Sequence, residues 1–414
     1  MRRVASRGVI RSIASRAMST MGTAGSPRLL AALLLAAATA CASSTGAPPV
    51  DHCAGVSCGT HASCIDGGVR GACACDPGTL GDPVTLCAPS TAPAVGGCAV
   101  LPADHIFNTP IDALPVHPSS GTFLGSIGSH PMHLDLGRTV DPARSDYYGI
   151  PYNVVRGSTL AWSRVHYDSG WPDESDCAAA GATGTVISPC SAASPVVPAP
   201  PTPLVEGGID TADEDHHMLL LDADSCRLWE LYHATPSASG GWDVLSTAEF
   251  DLGSGALRPA GWTSGDAAGF PILPLLLRVD EASSGTIRHA LRVTIPSGLI
   301  RDAYVWPARH KTGSNSSASV PPMGQLFRVK ASYAIPAGTS VQARAILQAL
   351  KTYGMYLADG GSTWYVQGEP SAAWDDGVFG EVGRVTSLDI EAVDLSLFQA
   401  RAGWDASSGL VPPP

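Results

Sequence analysis

Carboxylate side chains give this chain its first candidates for catalysis. Glu230 lies between Trp229 and Leu231 in a stretch typical of a strand, so its side chain should point to the opposite face from both neighbours. Hydrolysis of a glycosidic bond requires two carboxyl groups, one acting as an acid and the other as a base or nucleophile. We take Glu230 and Asp359 as the candidate pair. The alternative partners for Glu230 are Asp215, Asp280 and Glu281.

Aromatic side chains could bind the sugar rings of such a substrate by stacking. The two tryptophans we take as substrate-binding candidates are Trp262 and Trp306. A tryptophan in a folded domain is more often a core residue, and positions along the chain cannot show that two carboxylates converge. Further tryptophans that could serve in the same way are Trp162, Trp229 and Trp364.

Histidines offer a second kind of site. His217, His289 and His310 each lie on or just after a predicted strand, and three imidazoles on neighbouring strands could bind Zn²⁺ or Cu²⁺. His217 is the metal-ligand candidate of the three. Alternatively, His289 or His310 could act as the general base of a polysaccharide lyase, with Arg292 or Arg309 holding the carboxylate of the substrate. A buried histidine is more often a hydrogen-bonded core residue, so both alternatives stay open.

Composition and missing motifs exclude several classes of protein. The 25 Lys and Arg residues against 37 Asp and Glu give a net charge of −12, which argues against a nucleic-acid partner. The chain has no H-E-x-x-H motif, no G-x-S-x-G motif, no P-loop and no G-x-G-x-x-G opening a helix. These absences argue against the common zinc proteases, α/β-hydrolases and nucleotide-dependent enzymes. No cofactor can be identified from the sequence.

The N-terminus predicts export. Six arginines precede an apolar run at residues 29–38, which has the length of a signal-peptide core and is too short to span a bilayer. The run ends in Ala38-Thr39-Ala40-Cys41, which resembles the lipobox of bacterial lipoproteins, although that family more often has Leu in place of Ala38. The resemblance implies a signal peptide at 1–40, a lipid on Cys41 and a tether at 41–50. We therefore expect a protein anchored to the bacterial cell envelope, at the outer membrane or the cell surface.

Cysteines predict a small disulfide-rich module in the segment 51–89. Spacing alone leaves fifteen connectivities open for its six cysteines. The segment resembles an EGF-like module, because a C-x-C step at Cys73 and Cys75 falls within the spacing of that family. The resemblance implies the bridges Cys53–Cys64, Cys58–Cys73 and Cys75–Cys87. Two further pairs, Cys177–Cys190 across a Gly- and Ser-rich stretch and Cys98–Cys226, account for the remaining cysteines after Cys41.

Residues 98–404 are predicted to form a single β-rich domain. A hairpin is expected where residues 217–221 and 227–233 flank a turn. Residues 340–353 have the periodicity of a helix, with Ser340 or Thr339 as its cap. The segment 177–204 reads as an exposed loop insertion. We expect an antiparallel, jelly-roll-like β-sandwich with a few helices. The other predicted strands are residues 150–155, 160–167, 286–295, 304–307 and 327–331.

Several unusual blocks of sequence in this domain resemble a family of secreted bacterial and fungal β-rich proteins. That family has no assigned activity, so the likeness bears on the extent and context of the domain only. The blocks are residues 149–155, 258–264, 289–292, 306–310 and 353–359.

Together these features predict an exported, lipid-anchored surface protein. Its main domain is expected to cleave extracellular polysaccharide, as a glycoside hydrolase or a lyase. The alternative is a glycan-binding or adhesion lipoprotein without catalysis, and the sequence leaves the choice between enzyme and binding protein open. The expected partners are an extracellular glycan and, through the N-terminal lipid, a membrane.

Overall fold

The described part of the chain begins after the predicted export signal. The computed structural model describes residues 53–66, 71–75, 79–82, 84, 86–89, 93–141, 143–144, 147–209 and 215–414. The predicted signal peptide, Cys41 and the tether lie outside the described residues. Among the helices of the described part, none has both the length and the apolar character needed to cross a membrane.

Four short strands lie in the cysteine-rich N-terminal region. In sequence they are β1 (Ala62–Asp66), β2 (Gly71–Cys75), β3 (Thr79–Asp82) and β4 (Leu86–Pro89), which pair antiparallel as β1–β2 and β3–β4. The predicted bridges Cys53–Cys64 and Cys58–Cys73 are both present, which is compatible with an EGF-like module. The third predicted bridge, Cys75–Cys87, involves side chains outside those the structure describes.

The rest of the described chain is built mainly of short strands, with five short α-helices between them. The strands are β5 (Ala94–Val95), β6 (Cys98–Ala99), β7 (His133–Asp135), β8 (Tyr152–Val155), β9 (Ser163–His166), β10 (Cys177–Ala179), β11 (Ala182–Ile187), β12 (Pro195–Val197), β13 (Met218–Asp222), β14 (Arg227–Tyr232), β15 (Thr235–Pro236), β16 (Trp242–Asp243), β17 (Ser246–Asp251), β18 (Leu291–Ile295), β19 (Arg301–Tyr304), β20 (Pro322–Met323), β21 (Leu326–Val329), β22 (Met355–Gly360), β23 (Tyr365–Gln367) and β24 (Ile390–Ala392). The α-helices are α1 (Ser120–Ile127), α2 (Val279–Ser284), α3 (Val341–Thr352), α4 (Val378–Val382) and α5 (Ser396–Gln399). Single 3₁₀ turns occupy Ile106–Asn108, Pro172–Glu174, Leu273–Leu275, Ser297–Leu299 and Ser387–Asp389.

Three sheets make up most of this architecture. Sheet A has the strand order β17-β14-β13-β8, sheet B has β24-β21-β22-β18-β23-β7, and sheet C has β11-β10-β12-β9-β16-β15. The mainly β prediction is confirmed, but the sheets are mixed, since β8–β13, β18–β22, β7–β23 and β9–β16 are parallel pairs. Parallel neighbours need long connections. Between β8 and β13 the chain builds strands β9 to β12 of sheet C, and sequence periodicity does not reveal such a crossover.

Strand β13 lies between two hydrophobic cores, one on each face of sheet A. All five of its residues are buried. Leu219 and Leu221 pack into the large core that includes sheet B, whereas Met218 and Leu220 pack into a smaller core with residues of sheet C. Alternate side chains of a strand point to opposite faces, so sheet A is covered on both sides. The continuous apolar run of this strand follows from that double burial.

Several local predictions are confirmed. The predicted hairpin is β13 paired antiparallel with β14. The predicted helix is α3, where the Ser340 hydroxyl accepts the Ala343 N–H at the N-terminus. The bridges Cys98–Cys226 and Cys177–Cys190 are also present.

The segment 177–204 differs from its prediction as an exposed loop. It supplies β10, β11 and β12 to sheet C, with Val196 and Val197 buried. The Cys177–Cys190 bridge lies across this strand pair, and its flanking Gly, Ser and Pro residues dominated the sequence pattern. The apolar pair in β12 was the signal for a strand.

Candidate functional site

Polar side chains meet between sheets A and B. His217, Glu230 and Tyr232 lie on the face of sheet A that is turned toward the large core, because they alternate in step with Leu219 and Leu228. The loop of residues 264–270 lies between the sheets: the Gly265 carbonyl contacts His217, and the Ala268 N–H donates to the Ala358 carbonyl of sheet B. The group we call the Arg292 cluster consists of Glu206, His217, Asp266, Arg292 and Asp359.

Arg292 is the buried cation at the centre of this cluster. It lies on β18 with no exposed surface, and its Nη2 is 2.7 Å from Oδ2 of Asp266. Its Nη1 donates to the side-chain oxygen of Gln367. Asp266 also accepts the Ala268 N–H at 2.8 Å. Burial raises the pKa of Asp266, and the pair with Arg292 opposes that rise. The Arg292 guanidinium is therefore buried and already paired, so it is not available to bind a substrate carboxylate.

Asp359 is the carboxyl group of the cluster that is best suited to donate a proton. It lies near the end of β22, is half-buried, and accepts the Gly360 N–H at 2.6 Å. Burial, reinforced by the nearby carboxylate of Asp266, raises the pKa of Asp359 to about 7, although Arg292 acts in the opposite direction. A large fraction of Asp359 is therefore protonated at neutral pH, as a general acid requires.

His217 forms a buried ion pair with Glu206. Its Nδ1 is 2.5 Å from Oε2 of Glu206, and its Nε2 is 2.7 Å from the Gly265 carbonyl oxygen. Burial by itself lowers the pKa of His217, but the Glu206 carboxylate overcomes this effect and raises it to about 9. Both ring nitrogens carry a proton and a partner, so His217 has no lone pair for a metal. Among the described residues, no three or more His, Cys, Asp and Glu side chains form a group that could hold a metal ion.

Asp215 and Tyr232 lie at the outer side of the cluster. Asp215 is exposed, and the Tyr232 hydroxyl donates to its Oδ1 over 3.4 Å. The ring of Tyr232 lies 5.5 Å from that of His217. The negative charge of Asp215 also contributes to the raised pKa of Asp359, which places the two carboxyl groups within electrostatic reach of each other. Asp215 is an alternative partner for Glu230 in the sequence analysis, and in the structure its charge acts on Asp359.

Glu230, the first sequence candidate, is completely buried. Its carboxylate accepts the Ile272 N–H at 2.8 and 3.0 Å and the Leu273 N–H at 3.1 Å. These bonds hold the start of the 3₁₀ turn Leu273–Leu275. Burial raises the pKa of Glu230 to about 7 in spite of the two N–H donors. With no exposed surface it cannot reach a glycosidic bond, and its role is structural.

His289 belongs to a second buried cluster around Arg278. Its Nε2 lies 2.9 Å from Oε2 of Glu281 and its Nδ1 lies 2.8 Å from the Ala290 carbonyl oxygen. The Nη2 of Arg278 is 2.6 Å from the same Glu281 oxygen. Burial opposes ionisation of Glu281, but Arg278 and His289 together lower its pKa to about 2. His289 is fully buried within these contacts, which gives it no access to a substrate.

Arg309 and His310 form hydrogen bonds to the loop of residues 264–270. Their backbone N–H groups both donate to the Ala268 carbonyl, at 2.8 and 3.1 Å. The Nδ1 of His310 lies 2.9 Å from the Ala267 carbonyl oxygen, and the Nε of Arg309 donates to Arg258 O at 2.7 Å. These contacts position the loop that carries Asp266, so both residues support the site rather than act in it.

The two tryptophan candidates have different environments. Trp306 is buried, and its indole N–H donates to the Ser408 carbonyl at 2.9 Å. It packs the C-terminal segment and is not part of the proposed site. Trp262 is half-buried, with the Arg258 guanidinium 5.5 Å from its ring.

Sequence reasoning missed Asp266 and Glu206, two members of the cluster. Both are single acidic residues beside glycine, in segments that read as turns: Ser264-Gly265-Asp266 and Val205-Glu206-Gly207. Only 15% of the residues in this chain are charged, so an acidic residue in a Gly-rich turn was the one sequence signal for these two side chains. Whether such an acid belongs to a site depends on its contacts with residues far along the chain.

Comparison with known proteins gives no relative: no family model, no curated protein and no solved structure matches this chain. The function must therefore be argued from the site itself.

We expect the stability of the fold to fall as the pH rises from about 4.5, because of two acids with raised pKa values. Burial raises the pKa values of Glu230 and Glu369 from 4.5 to about 7, so their stabilising contribution is present below pH 4.5 and is lost as the pH rises to 7. The contribution of His217, whose folded pKa is about 9, is fully present below 6.5 and is lost as the pH passes through 9. We expect a progressive fall of Tm between pH 6 and 9.5, followed by circular dichroism. A constant or rising Tm over this range would contradict these assignments.

Proposed function

We propose that the main domain hydrolyses glycosidic bonds, with Asp359 as the general acid and Asp215 as its carboxylate partner. The observation that carries the proposal is a half-buried carboxyl group whose pKa is raised to about 7, with the exposed Asp215 carboxylate within electrostatic reach of it. Glycoside hydrolysis requires one carboxyl group that donates a proton and a second that acts as a base or nucleophile.

The choice of Asp215 follows from the partners of the other acids. Glu206 is held by His217, and Asp266 is held by Arg292 and a backbone N–H. Glu230 is completely buried. Asp215 is exposed, with the Tyr232 hydroxyl 3.4 Å from its Oδ1. It is the acid near Asp359 that a water molecule or a sugar carbon could approach.

The reaction divides between these two side chains. Asp359 gives its proton to the glycosidic oxygen as the bond from that oxygen to the anomeric carbon breaks. The Asp215 carboxylate either attacks the anomeric carbon directly or takes a proton from the water that attacks it. Asp266 and Arg292 act by position: the Asp266 charge favours the protonated form of Asp359, and Arg292 limits that effect.

Hydrolysis is better supported than the lyase alternative. A lyase needs a free cation for the substrate carboxylate and an accessible base. The Arg292 guanidinium is buried against Asp266 and Gln367, and Arg309 donates to backbone carbonyls. His289 is enclosed between Glu281 and the Ala290 carbonyl.

We further propose that this domain works outside the cell, anchored by a lipid on Cys41 and carried on an EGF-like module at residues 51–89. Four disulfide bridges in the described part support an oxidising compartment. The lipid and the cell-envelope location rest on the sequence alone. No nucleic-acid partner is proposed for this acidic chain. A non-catalytic glycan-binding lipoprotein is the alternative that the activity assay tests.

The test uses the full chain, exported and processed in an oxidising compartment. It is incubated with a panel of polysaccharides, and two products are followed: new reducing ends and the ultraviolet absorbance of unsaturated uronates. Hydrolysis predicts reducing ends without the absorbance. Both signals together would support a lyase and overturn the proposal. Retention on a glycan without any cleavage would move the function to binding.

A further inference from the structure

A row of side chains crosses sheet B from Asp359 to its edge. Asp359 of β22 and Tyr365 of β23 both pair with Thr294 of β18, and Tyr365 pairs in turn with His133 of β7. Directly paired residues in neighbouring strands point to the same face. Strands lie about 4.8 Å apart, so this row extends about 14 Å from Asp359 to His133.

A groove lies at the far end of this row. It has a volume of about 550 Å³. The rings of His133 and Tyr365 lie against each other in it, with centroids 4.1 Å apart. Tyr148 is 59% exposed, so its ring is open to a ligand. The side chains that line the groove include His133, Asp135, Arg138, Tyr148, Tyr365 and Phe379.

The groove is connected to the Arg292 cluster through Gln367. Arg292 donates to the Gln367 side-chain oxygen, and Gln367 pairs directly with Asp135 of β7, where its side chain lowers the pKa of that carboxyl group. Burial and the nearby charge of Glu206 raise the pKa of Asp135. A ligand that occupies the groove would thus lie beside the same polar network that holds the proposed catalytic acid.

The charge of this surface decides the kind of ligand. Arg138, the cation in the groove lining, is paired with Asp376, and Arg292 is buried in its own ion pair. Asp135 lines the groove, and Asp359 lies at the other end of the row. Among the described residues that line the groove, Arg138 is the one arginine, so a polyuronate or sulfated glycan would have to compete with Asp376 for this guanidinium. Aromatic faces beside a carboxylate acceptor suit a chain with apolar ring faces and many hydroxyl groups.

We propose that the groove of Tyr148, Tyr365 and Asp135 is a binding subsite for an uncharged polysaccharide, whose chain runs along sheet B toward Asp359. This inference rests on the proposed function for the direction of the chain. Binding of a neutral glycan in the groove can be measured without any cleavage.

The test is electrophoresis in native gels that contain a neutral polysaccharide (dextran, soluble β-glucan or galactomannan) or anionic polygalacturonate. The full chain carries Asp359→Asn so that cleavage does not deplete the polysaccharide. Tyr148→Ala and Tyr365→Ala are compared with Trp171→Ala, which removes a 45% exposed tryptophan outside the groove. Tyr148→Ala removes an exposed ring, so it remains informative if Tyr365→Ala does not fold.

We expect retention by at least one neutral polysaccharide and none by polygalacturonate. The affinity should be about tenfold weaker in each groove variant and unchanged in Trp171→Ala, as the loss of one aromatic contact implies. Equal affinity in the groove variants, retention by polygalacturonate alone, or no retention at all would overturn the subsite. Groove-dependent binding by a wild-type protein that releases no reducing ends would overturn the hydrolase proposal and leave the subsite standing.

Discussion

The Asp359→Asn variant is expected to lose about 10²- to 10⁴-fold in hydrolytic turnover, the usual contribution of a general acid. An amide at this position cannot give a proton to the leaving oxygen. Because burial and Asp266 already favour the neutral form of Asp359, the neutral Asn should be tolerated in the fold. The variant should therefore unfold at a Tm close to that of the wild type, and at pH 8 its Tm should be no lower. Turnover is followed by release of reducing ends.

The matched control for this variant is Asp302→Asn. Asp302 is an exposed acid that pairs with Lys311 at the surface, away from the Arg292 cluster. We expect its turnover to stay within about twofold of the wild type, since exposed ion pairs contribute little. Equal losses in both variants, or full activity in Asp359→Asn, would remove Asp359 from the reaction.

The Glu230→Ala variant is expected to lose about 3–5 kcal/mol of unfolding free energy. The substitution leaves the N–H groups of Ile272 and Leu273 buried without their acceptor, and each such group costs about 1–3 kcal/mol. The removed side chain also leaves a cavity in a site without exposed surface. Urea unfolding monitored by tryptophan fluorescence measures the loss.

Glu230→Gln separates this structural role from a catalytic one. Its side-chain oxygen can still accept both N–H groups, because Oε1 of Glu230 already contacts both. At pH 6 we expect a smaller loss of unfolding free energy than in Glu230→Ala, because one acceptor oxygen is retained. We also expect a shallower fall in Tm between pH 4.5 and 7, because one buried acid no longer ionises. Near-complete loss of activity in a stably folded Glu230→Gln would instead return Glu230 to the reaction.

Local features of the fold could be predicted because they depend on neighbouring residues. The apolar run of β13, the turn after it and the β14 pattern define one hairpin. The α3 helix carries its own cap and periodicity. Four of the predicted bridges are present. The resemblance to an EGF-like module implied the two in the N-terminal region, and the short Gly- and Ser-rich stretch of one pair, with elimination for the other, indicated the two in the main domain. The parallel pairs of the sheets connect segments far apart in the chain, and no short-range pattern encodes them.

The candidate site could be predicted only in part, for a related reason. Asp359 and Arg292 were both named, but their grouping depends on β18 lying beside β22 and on the loop that carries Asp266. Glu230 was chosen because it is an acid in an apolar strand. An acid in an apolar strand can be a catalytic residue in a cleft or an acceptor for buried N–H groups. The hydrogen bonds from Ile272 and Leu273 show that Glu230 is the second kind.

The role of Asp359 as the proton donor is tested most directly by titrating its carboxyl group by NMR. Labelling the aspartate side-chain carboxyl carbons with ¹³C excludes Glu230 and Glu369, and comparison with Asp359→Asn assigns the signal. We predict an aspartate that titrates near pH 7 in the wild-type protein and is absent from the variant spectrum. An Asp359 signal that titrates near pH 4, as an ordinary exposed aspartate does, would contradict its assignment as the proton donor.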